Sequence, residues 1–129
     1  MHQAQSQNIH VISHILLPGQ INMDEDDIVL ILGNLLDNAI EATAHVHNGR
    51  YILLDINYQF GCIFIHIENN FDTILRLENG TLKTRKNNQE FHGIGLGIVK
   101  ELVTKYHGTI DISTKENIFT ADILLYLPV

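Results

Sequence analysis

The segment ILGNLLDNAIEAT, residues 31–43, combines an apolar repeat of helical period with several short polar side chains. At 100° per residue, the apolar side chains of residues 28–39 fall on one broad arc of a helix. Four polar residues are expected together on the opposite arc: Asn34, Asp37, Asn38 and Glu41. Asn and Asp are mediocre inside helices because their side chains compete with the backbone for hydrogen bonds. The arc is therefore either a water-exposed face or a polar-ligand site, and its oxygens suit a hard cation such as Mg²⁺.

The composition predicts a single globular domain. The chain has 129 residues, of which 45% are hydrophobic and 18% charged. We expect residues 9–129 to form that domain, with residues 1–8 as a disordered or artificial tail. The longest apolar run, residues 28–32, is far shorter than the ~20 residues that span a bilayer. The net charge of −7 argues against nucleic-acid binding, and the lone Cys62 suits a reducing cytosol.

The order of secondary structure predicts an α+β fold. A helix is expected from a cap at Asn22 or Asp24 to Thr43, and a second over residues 94–107, ended by Gly108. Ile94, Ile98, Leu102 and Tyr106 recur at helical spacing in the second helix, with Val99 and Val103 beside them. Strands are expected at residues 9–17 (partly covered on both faces), 51–58, 62–68, 109–113 and 118–127. We predict a mixed, mainly antiparallel sheet with both helices packed on one face.

A glycine-rich segment, FHGIGLGIVKEL at residues 91–102, stands where a loop becomes a helix. Gly93, Gly95 and Gly97 would let backbone N–H groups approach a phosphate at the helix N-terminus. A tight turn with close helix packing would explain the same glycines. Three basic residues precede this segment: Lys83, Arg85 and Lys86. They either neutralise phosphate charge or belong to a solvated loop.

Taken together, these segments resemble the ATP-binding domain of the GHKL superfamily, which includes gyrase, Hsp90, MutL and the sensor histidine kinases. NLLDNAIEA resembles the N box, IHIENN stands at the first glycine box, and GIGLGIVK resembles the second. The closest likeness is to the peptide-sensing, quorum-type histidine kinases of Gram-positive bacteria, which share the LGNLLDNAIEA and HGIGL strings. The resemblance spans about residues 9–127 and implies a two-layer Bergerat-type sandwich.

The resemblance also implies roles for single residues. Asn38 would coordinate Mg²⁺ on bound ATP, and Asn69 would accept a hydrogen bond from the adenine amino group. Asn34 stands where gyrase-like relatives keep a water-activating Glu, which favours phosphoryl transfer over hydrolysis. Residues 72–92 would form a mobile lid over the nucleotide. The expected nucleotide contacts are Asn38, Glu41, Asn69, Lys83, Arg85, Lys86, His92, Gly93, Ile94, Gly95, Leu96 and Gly97.

Two features depart from the family pattern. The first glycine box reads ENNFD, without its usual glycines. Glu41 and Ala42 follow the N-box Asn, where many kinases have a basic residue and then an aromatic one. Both departures concern the nucleotide pocket, so they predict modest affinity for ATP.

The expected function is that of the ATP-binding catalytic domain of a two-component sensor histidine kinase. The domain would position Mg-ATP for transfer of the γ-phosphate to a His on a separate dimerisation domain, and a response regulator would follow as an indirect partner. It would be the cytoplasmic part of a membrane-anchored bacterial protein and almost inactive in isolation. One alternative is a free-standing serine kinase of the anti-sigma-factor type, which would need a base at position 34. Another is a non-catalytic, nucleotide-dependent partner-binding module.

Overall fold

The structure is a computed structural model that describes residues 8–72 and 96–128. Its strands are β1 (His10–Leu16), β2 (Tyr51–Gln59), β3 (Cys62–Asn70), β4 (Thr109–Lys115) and β5 (Ile118–Tyr126). Helix α1 is Glu25–Thr43, and the described part of helix α2 covers residues 96–105. Within these ranges, neither helix has the length and apolar character needed to cross a membrane.

The five strands form one sheet in the order β1-β2-β3-β5-β4. Strands β1 and β2 are parallel, and every other neighbouring pair is antiparallel. The sheet is therefore mixed and mainly antiparallel, as predicted. Strand β3 continues to Asn70, two residues beyond its predicted end. The extension follows from pairing with β5, because Asn69 lies opposite Phe119 and Asn70 opposite Ile118.

Both helices pack on one face of the sheet, as predicted, and the apolar core lies between the two layers. Alternate residues of the central strands point into that core because successive strand side chains face opposite sides. The core residues of these strands include Ile52, Leu54, Ile56, Ile63, Ile65, Ile67, Ala121, Ile123 and Leu125. The expectation that β1 is partly covered on both faces is wrong. As an edge strand that pairs only with β2, it has six exposed residues out of seven.

Both hairpins close through two-residue turns in which both residues have positive φ. Phe60 and Gly61 have φ of 53° and 77°, and Glu116 and Asn117 have φ of 51° and 66°. Such turns match the right-handed twist of antiparallel strands. The turns lie where the sequence predicts them, between β2 and β3 and between β4 and β5.

The end of helix α2 differs from the prediction. His107, not Gly108, takes the left-handed conformation, with φ of 56°. The Gly108 N–H donates to Val103 O at 2.8 Å and the His107 N–H to Thr104 O at 2.9 Å, which is a Schellman motif. Gly108 is needed for a different reason, because a Cβ there would lie 1.9 Å from Leu124 O.

The buried side of α2 also differs in detail from the predicted repeat. Ile98 is 38% exposed, although it was expected among the residues that recur at helical spacing. The residues that enter the core are Leu96, Val99, Val103 and Tyr106. They too follow helical spacing, but on a stripe rotated away from Ile98, because α2 faces the sheet with that side.

Candidate functional site

Helix α1 supplies the first half of the candidate site. Its N-cap is Asp24, whose side chain accepts a hydrogen bond from Asp26 N at 2.9 Å. Its buried stripe contains polar residues as well as apolar ones: Asp27, Ile31, Leu35, Asn38, Ala39, Ile40 and Thr43. The stripe therefore carries a carboxylate near its start, an amide in its middle and a hydroxyl at its end.

The predicted polar arc is divided in the structure. Asp37 and Glu41 are exposed and Asn34 is partly buried, whereas Asn38 is only 5% exposed. The placement of Asn38 opposite the apolar arc is therefore wrong. Seven residues advance a helix by nearly two full turns, so Asn38 lies only about 20° around the axis from the buried Ile31.

Two buried amide oxygens on the helix side of the sheet have no hydrogen-bond partner among the described residues. They are Oδ1 of Asn38 on α1 and Oδ1 of Asn69 on β3. The Asn69 side chain is completely buried. A third such oxygen, Asn57 Oδ1, belongs to the opposite face of the sheet. Because buried polar atoms in folded proteins are nearly always paired, the first two point to a ligand. An amide oxygen can accept a hydrogen bond or bind a hard cation, so both residues fit the roles expected for ATP and Mg²⁺.

The end of strand β3 is fixed by the side chain of Asn70. Asn70 Oδ1 accepts from Thr43 Oγ1 at 2.5 Å and from Tyr51 N at 3.2 Å, and Nδ2 donates to Gly49 O at 2.7 Å. The Asn69 Nδ2 group in turn donates to the backbone oxygen of Asn70 at 3.0 Å. Asn70 thus joins β3 to the end of α1 and to the start of β2.

These contacts place the two unpaired amides relative to one another. Thr43 marks the point where α1 meets the end of β3. Asn38 lies five residues earlier on the same helix, about 7.5 Å back along its axis at 1.5 Å per residue. Both amides therefore belong to the layer between α1 and the sheet.

Sequence reasoning missed Asn70 and Thr43. The only signals were an Asn directly after the expected adenine-binding residue, and a Thr continuing the spacing of Ile31, Leu35 and Ala39. Neither signal reveals that the two side chains meet.

Other expected site residues are placed differently. Asn34 donates from Nδ2 to Leu30 O at 2.8 Å, one turn back on α1, and Glu41 is exposed. Leu96 is buried in the core, and Gly97 is partly buried at the second described position of α2. The remaining expected contacts lie outside the described residues: Lys83, Arg85, Lys86, His92, Gly93, Ile94 and Gly95. The proposed lid, apart from Asp72, also lies outside them.

Polar side chains join the start of α1 to the end of α2. The Asp27 carboxylate accepts hydrogen bonds from Lys105 Nζ at 2.7 Å and Tyr106 Oη at 2.5 Å. The hydrogen bonds from Lys105 and Tyr106 hold the pKa of Asp27 below its usual value. Burial and the same carboxylate raise the pKa of Tyr106. This contact orients α2 on α1, and no local sequence pattern predicts it.

The described residues contain no cluster of side chains that is arranged to enclose a metal ion. Within residues 8–72 and 96–128, no group of three His, Cys, Asp or Glu side chains is arranged to hold a metal. The free Oδ1 of Asn38 is a candidate metal ligand on the helix side of the sheet. Mg²⁺ commonly binds with one or two protein ligands while phosphates and water complete its shell.

The family model described as GHKL domain matches residues 23–126. No curated protein matches the chain. Among solved structures, the catalytic domain of histidine kinase ThkA is similar, with 19% identity over 97% of this chain and 82% of that chain and a TM-score of 0.67.

Larger histidine kinases contain the same fold. Acinetobacter baumannii histidine kinase AdeS matches at 17% identity over 99% of this chain and 59% of its own, with a TM-score of 0.64. Full-length ShkA in complex with AMPPNP matches at 18% identity over 99% of this chain and 28% of its own, also with a TM-score of 0.64. The chain therefore belongs to the GHKL family of ATP-binding domains, and its fold is that of histidine kinase catalytic domains.

Proposed function

We propose that this domain binds ATP with Mg²⁺ and acts as the catalytic domain of a two-component sensor histidine kinase. The observation that carries the proposal is the pair of buried amide oxygens, on Asn38 and Asn69, that lack a partner among the described residues. One of them suits a hard cation and the other suits the amino group of adenine. Membership of the GHKL family supports the same assignment.

Each residue then has a defined task. Asn38 Oδ1 would hold Mg²⁺, which would neutralise charge on the triphosphate. Asn69 Oδ1 would accept a hydrogen bond from the 6-amino group of the base. From the sequence, Gly93 and Gly95 would border the triphosphate, and Gly97 belongs to the same glycine-rich segment. Lys83, Arg85 and Lys86 would neutralise the phosphates, with His92 beside the glycines.

The side chain at position 34 favours phosphoryl transfer over hydrolysis. An amide cannot take a proton from water, and Asn34 Nδ2 is already bonded to Leu30 O. The nucleophile is therefore supplied by a partner, which we propose is the imidazole of a His on a dimerisation domain. A serine kinase of the anti-sigma-factor type would need a base at this position.

The proposal places the domain within a larger signalling protein. This chain spans 59% of the AdeS structure and 28% of the ShkA structure, which leaves room for sensor and dimerisation parts in such proteins. We infer a bacterial, membrane-anchored kinase of the peptide-sensing quorum type, with this domain in the cytoplasm and a response regulator as indirect partner. The strings LGNLLDNAIEA and HGIGL support the quorum-type assignment.

The test of nucleotide binding is calorimetric titration of ATP into the domain with and without Mg²⁺. We expect binding that strengthens with Mg²⁺ in the wild type and loses that dependence in Asn38→Ala. Asp37→Ala is the matched control, because Asp37 is the exposed neighbour on the same helix. No binding by the wild type at millimolar ATP would refute the proposal and leave the partner-binding module as the better description.

The test of phosphoryl transfer adds a histidine kinase dimerisation domain to the ATP-loaded protein in trans. We expect an acid-labile, alkali-stable phosphoryl group on that domain, as phosphohistidine gives. Acid-stable phosphate on serine of a partner would instead favour the serine-kinase alternative. The wild type with Mg-ATP alone should show almost no turnover.

A further inference from the structure

The side chain of Asn69 is an amide, and an amide can present either an acceptor or a donor to a purine. A carboxylate presents acceptors in both orientations, whereas an Asn that turns by 180° exchanges its oxygen for an NH₂ group. An Asn that contacts the purine base therefore needs a hydrogen bond that fixes the orientation of its amide. In this structure the fixing contact is present, because Asn69 Nδ2 donates to the backbone oxygen of Asn70 at 3.0 Å.

The backbone oxygen of Asn70 is itself held in place by a set of short contacts. The side chain of Asn70 forms hydrogen bonds with Thr43 Oγ1 at 2.5 Å, with Tyr51 N at 3.2 Å and with Gly49 O at 2.7 Å. The next residue is held as well, since Phe71 N donates to Asn117 O at 3.0 Å. Three separate segments, namely the end of α1, the start of β2 and the turn between β4 and β5, thus fix the position of this peptide unit.

We propose that Asn70 is a positioning residue for base selection. It holds the Asn69 amide with Nδ2 occupied and Oδ1 free, so that the site accepts a 6-amino purine and rejects a 6-oxo purine. The proposal rests on the proposed function, namely that Asn69 faces the base of a bound nucleotide. Asn70 acts through Asn69 and needs no contact with the nucleotide itself.

The selection follows from hydrogen-bond chemistry. The 6-amino group of adenine donates to Asn69 Oδ1, and both partners are satisfied. A 6-oxo purine would place its own oxygen against Oδ1, leaving two buried acceptors facing each other without a proton between them. Without the Asn70 side-chain contacts, the backbone oxygen of residue 70 is free to move away from Asn69 Nδ2. The amide of Asn69 can then turn and offer Nδ2 to the 6-oxo group.

The experiment measures the affinities of ATP and inosine triphosphate, which differ at position 6 of the purine, for the wild type and Asn70→Ala. We expect the ATP preference to fall about fivefold in Asn70→Ala, the size of one net hydrogen bond. Thr43→Val, which keeps the side-chain shape and removes one contact to Asn70, should lower the preference in the same direction by less. Ser113→Ala, at an exposed site on β4, should leave it unchanged.

A second background separates positioning from general support of the fold. In Asn69→Asp, both side-chain oxygens are acceptors, so orientation no longer matters and the ATP preference should persist. Adding Asn70→Ala to that variant should then leave the preference unchanged. Thermal melting checks that each variant is folded.

The outcomes distinguish the two proposals. A wild type that binds neither nucleotide overturns the proposed function and this inference with it. A wild type that prefers ATP, with a folded Asn70→Ala that loses both nucleotides equally or keeps the full preference, overturns only this inference. This inference is also overturned if Asn70→Ala reduces the ATP preference equally in the wild-type and Asn69→Asp backgrounds. Asn70 would then act independently of the Asn69 amide.

Discussion

Asn38 occupies a position in the buried stripe of α1 where an apolar side chain would stabilise the free domain better. The residue is 5% exposed, and its Oδ1 has no hydrogen-bond partner among the described residues. A buried acceptor without a partner costs about 1–3 kcal/mol. Such a cost is typical of binding residues, whose geometry is selected for a ligand and not for the stability of the free protein.

We therefore expect Asn38→Leu to raise the free energy of unfolding of the nucleotide-free domain by about 1 kcal/mol, since it removes the unpaired amide at similar volume. Urea denaturation without nucleotide measures the change. Asp37→Leu, at the exposed neighbouring site, should change stability by less than about 0.5 kcal/mol. Calorimetry should show that Asn38→Leu has lost Mg²⁺-dependent ATP binding. A less stable Asn38→Leu would mean that the amide contributes to the fold of the free protein.

At the scale of elements, the sequence predicts what local patterns determine. Helix α1 begins after Asp24 and ends at Thr43 as expected, because a capping side chain and a helical apolar repeat are both local signals. The position of Asn70 was not predictable in the same way. Its partners Thr43, Gly49 and Tyr51 lie 27, 21 and 19 residues away in sequence, and only packing of α1 against the sheet brings them together.

The same distinction explains the errors at β1 and α2. The exposure of β1 follows from its place at the edge of the sheet, which pairing and not composition decides. At the end of α2, the local pattern predicts Gly108 as the terminating residue, but His107 takes the left-handed conformation. Gly108 is instead required where β5 approaches, and that contact with a distant strand leaves no local signal.

Two glycines provide a matched test of this contact. A Cβ on Gly108 would lie 1.9 Å from Leu124 O, a backbone atom that cannot move without disturbing β5. We expect Gly108→Ala to lower the free energy of unfolding by about 1–3 kcal/mol, the usual cost of overpacking.

Gly33 is the control, because it lies on the exposed side of α1 with open space around the added Cβ. Gly33→Ala should raise the free energy of unfolding by about 0.5–1 kcal/mol through reduced backbone entropy. Urea denaturation measures both variants. Equal stability of wild type and Gly108→Ala would show that β4 and β5 can separate at this point without cost.

For the whole molecule, the two faces of the sheet have opposite character. The helix side is mainly apolar, whereas the open side carries a row of ionisable groups in register across all five strands. From β1 to β4 in sheet order, the row is His14, Asp55, His66, Asp122 and Asp111. Beside this row, burial and a 2.7 Å hydrogen bond to Glu68 raise the pKa of Tyr51 to about 12.

His66 lies at the centre of the row and is surrounded by carboxylates. Its Nδ1 is 2.6 Å from Asp122 and its Nε2 is 3.3 Å from Glu68, while Asp55 is its cross-strand neighbour on β2. Burial alone would lower the pKa of His66, but the hydrogen bonds to Asp122 and Glu68 outweigh it and raise the pKa above the ordinary 6.5. The folded protein therefore binds a proton at His66 more tightly than the unfolded chain does.

The sign of the resulting pH dependence follows from linkage. A raised pKa in the folded state stabilises the protein fully below pH 6.5, and this stabilisation is lost as the pH rises through the folded-state value. We expect the free energy of unfolding of the wild type to fall relative to that of His66→Gln as the pH rises from 6.5 through the folded-state pKa of His66. The change in this stability difference should not exceed about 1 kcal/mol, because His66 and its carboxylate partners are partly exposed to solvent.

Urea denaturation at a series of pH values measures this difference. His47→Gln controls for the loss of an imidazole, since His47 is exposed in the connection between α1 and β2. Its curve should run parallel to that of the wild type if the carboxylates around His66 are responsible. Raising the salt concentration should reduce the difference between wild type and His66→Gln, because exposed charge pairs are screened. Parallel curves for wild type and His66→Gln would mean that protonation of His66 adds nothing to stability. The carboxylates would then be solvated separately, despite their short contacts with His66.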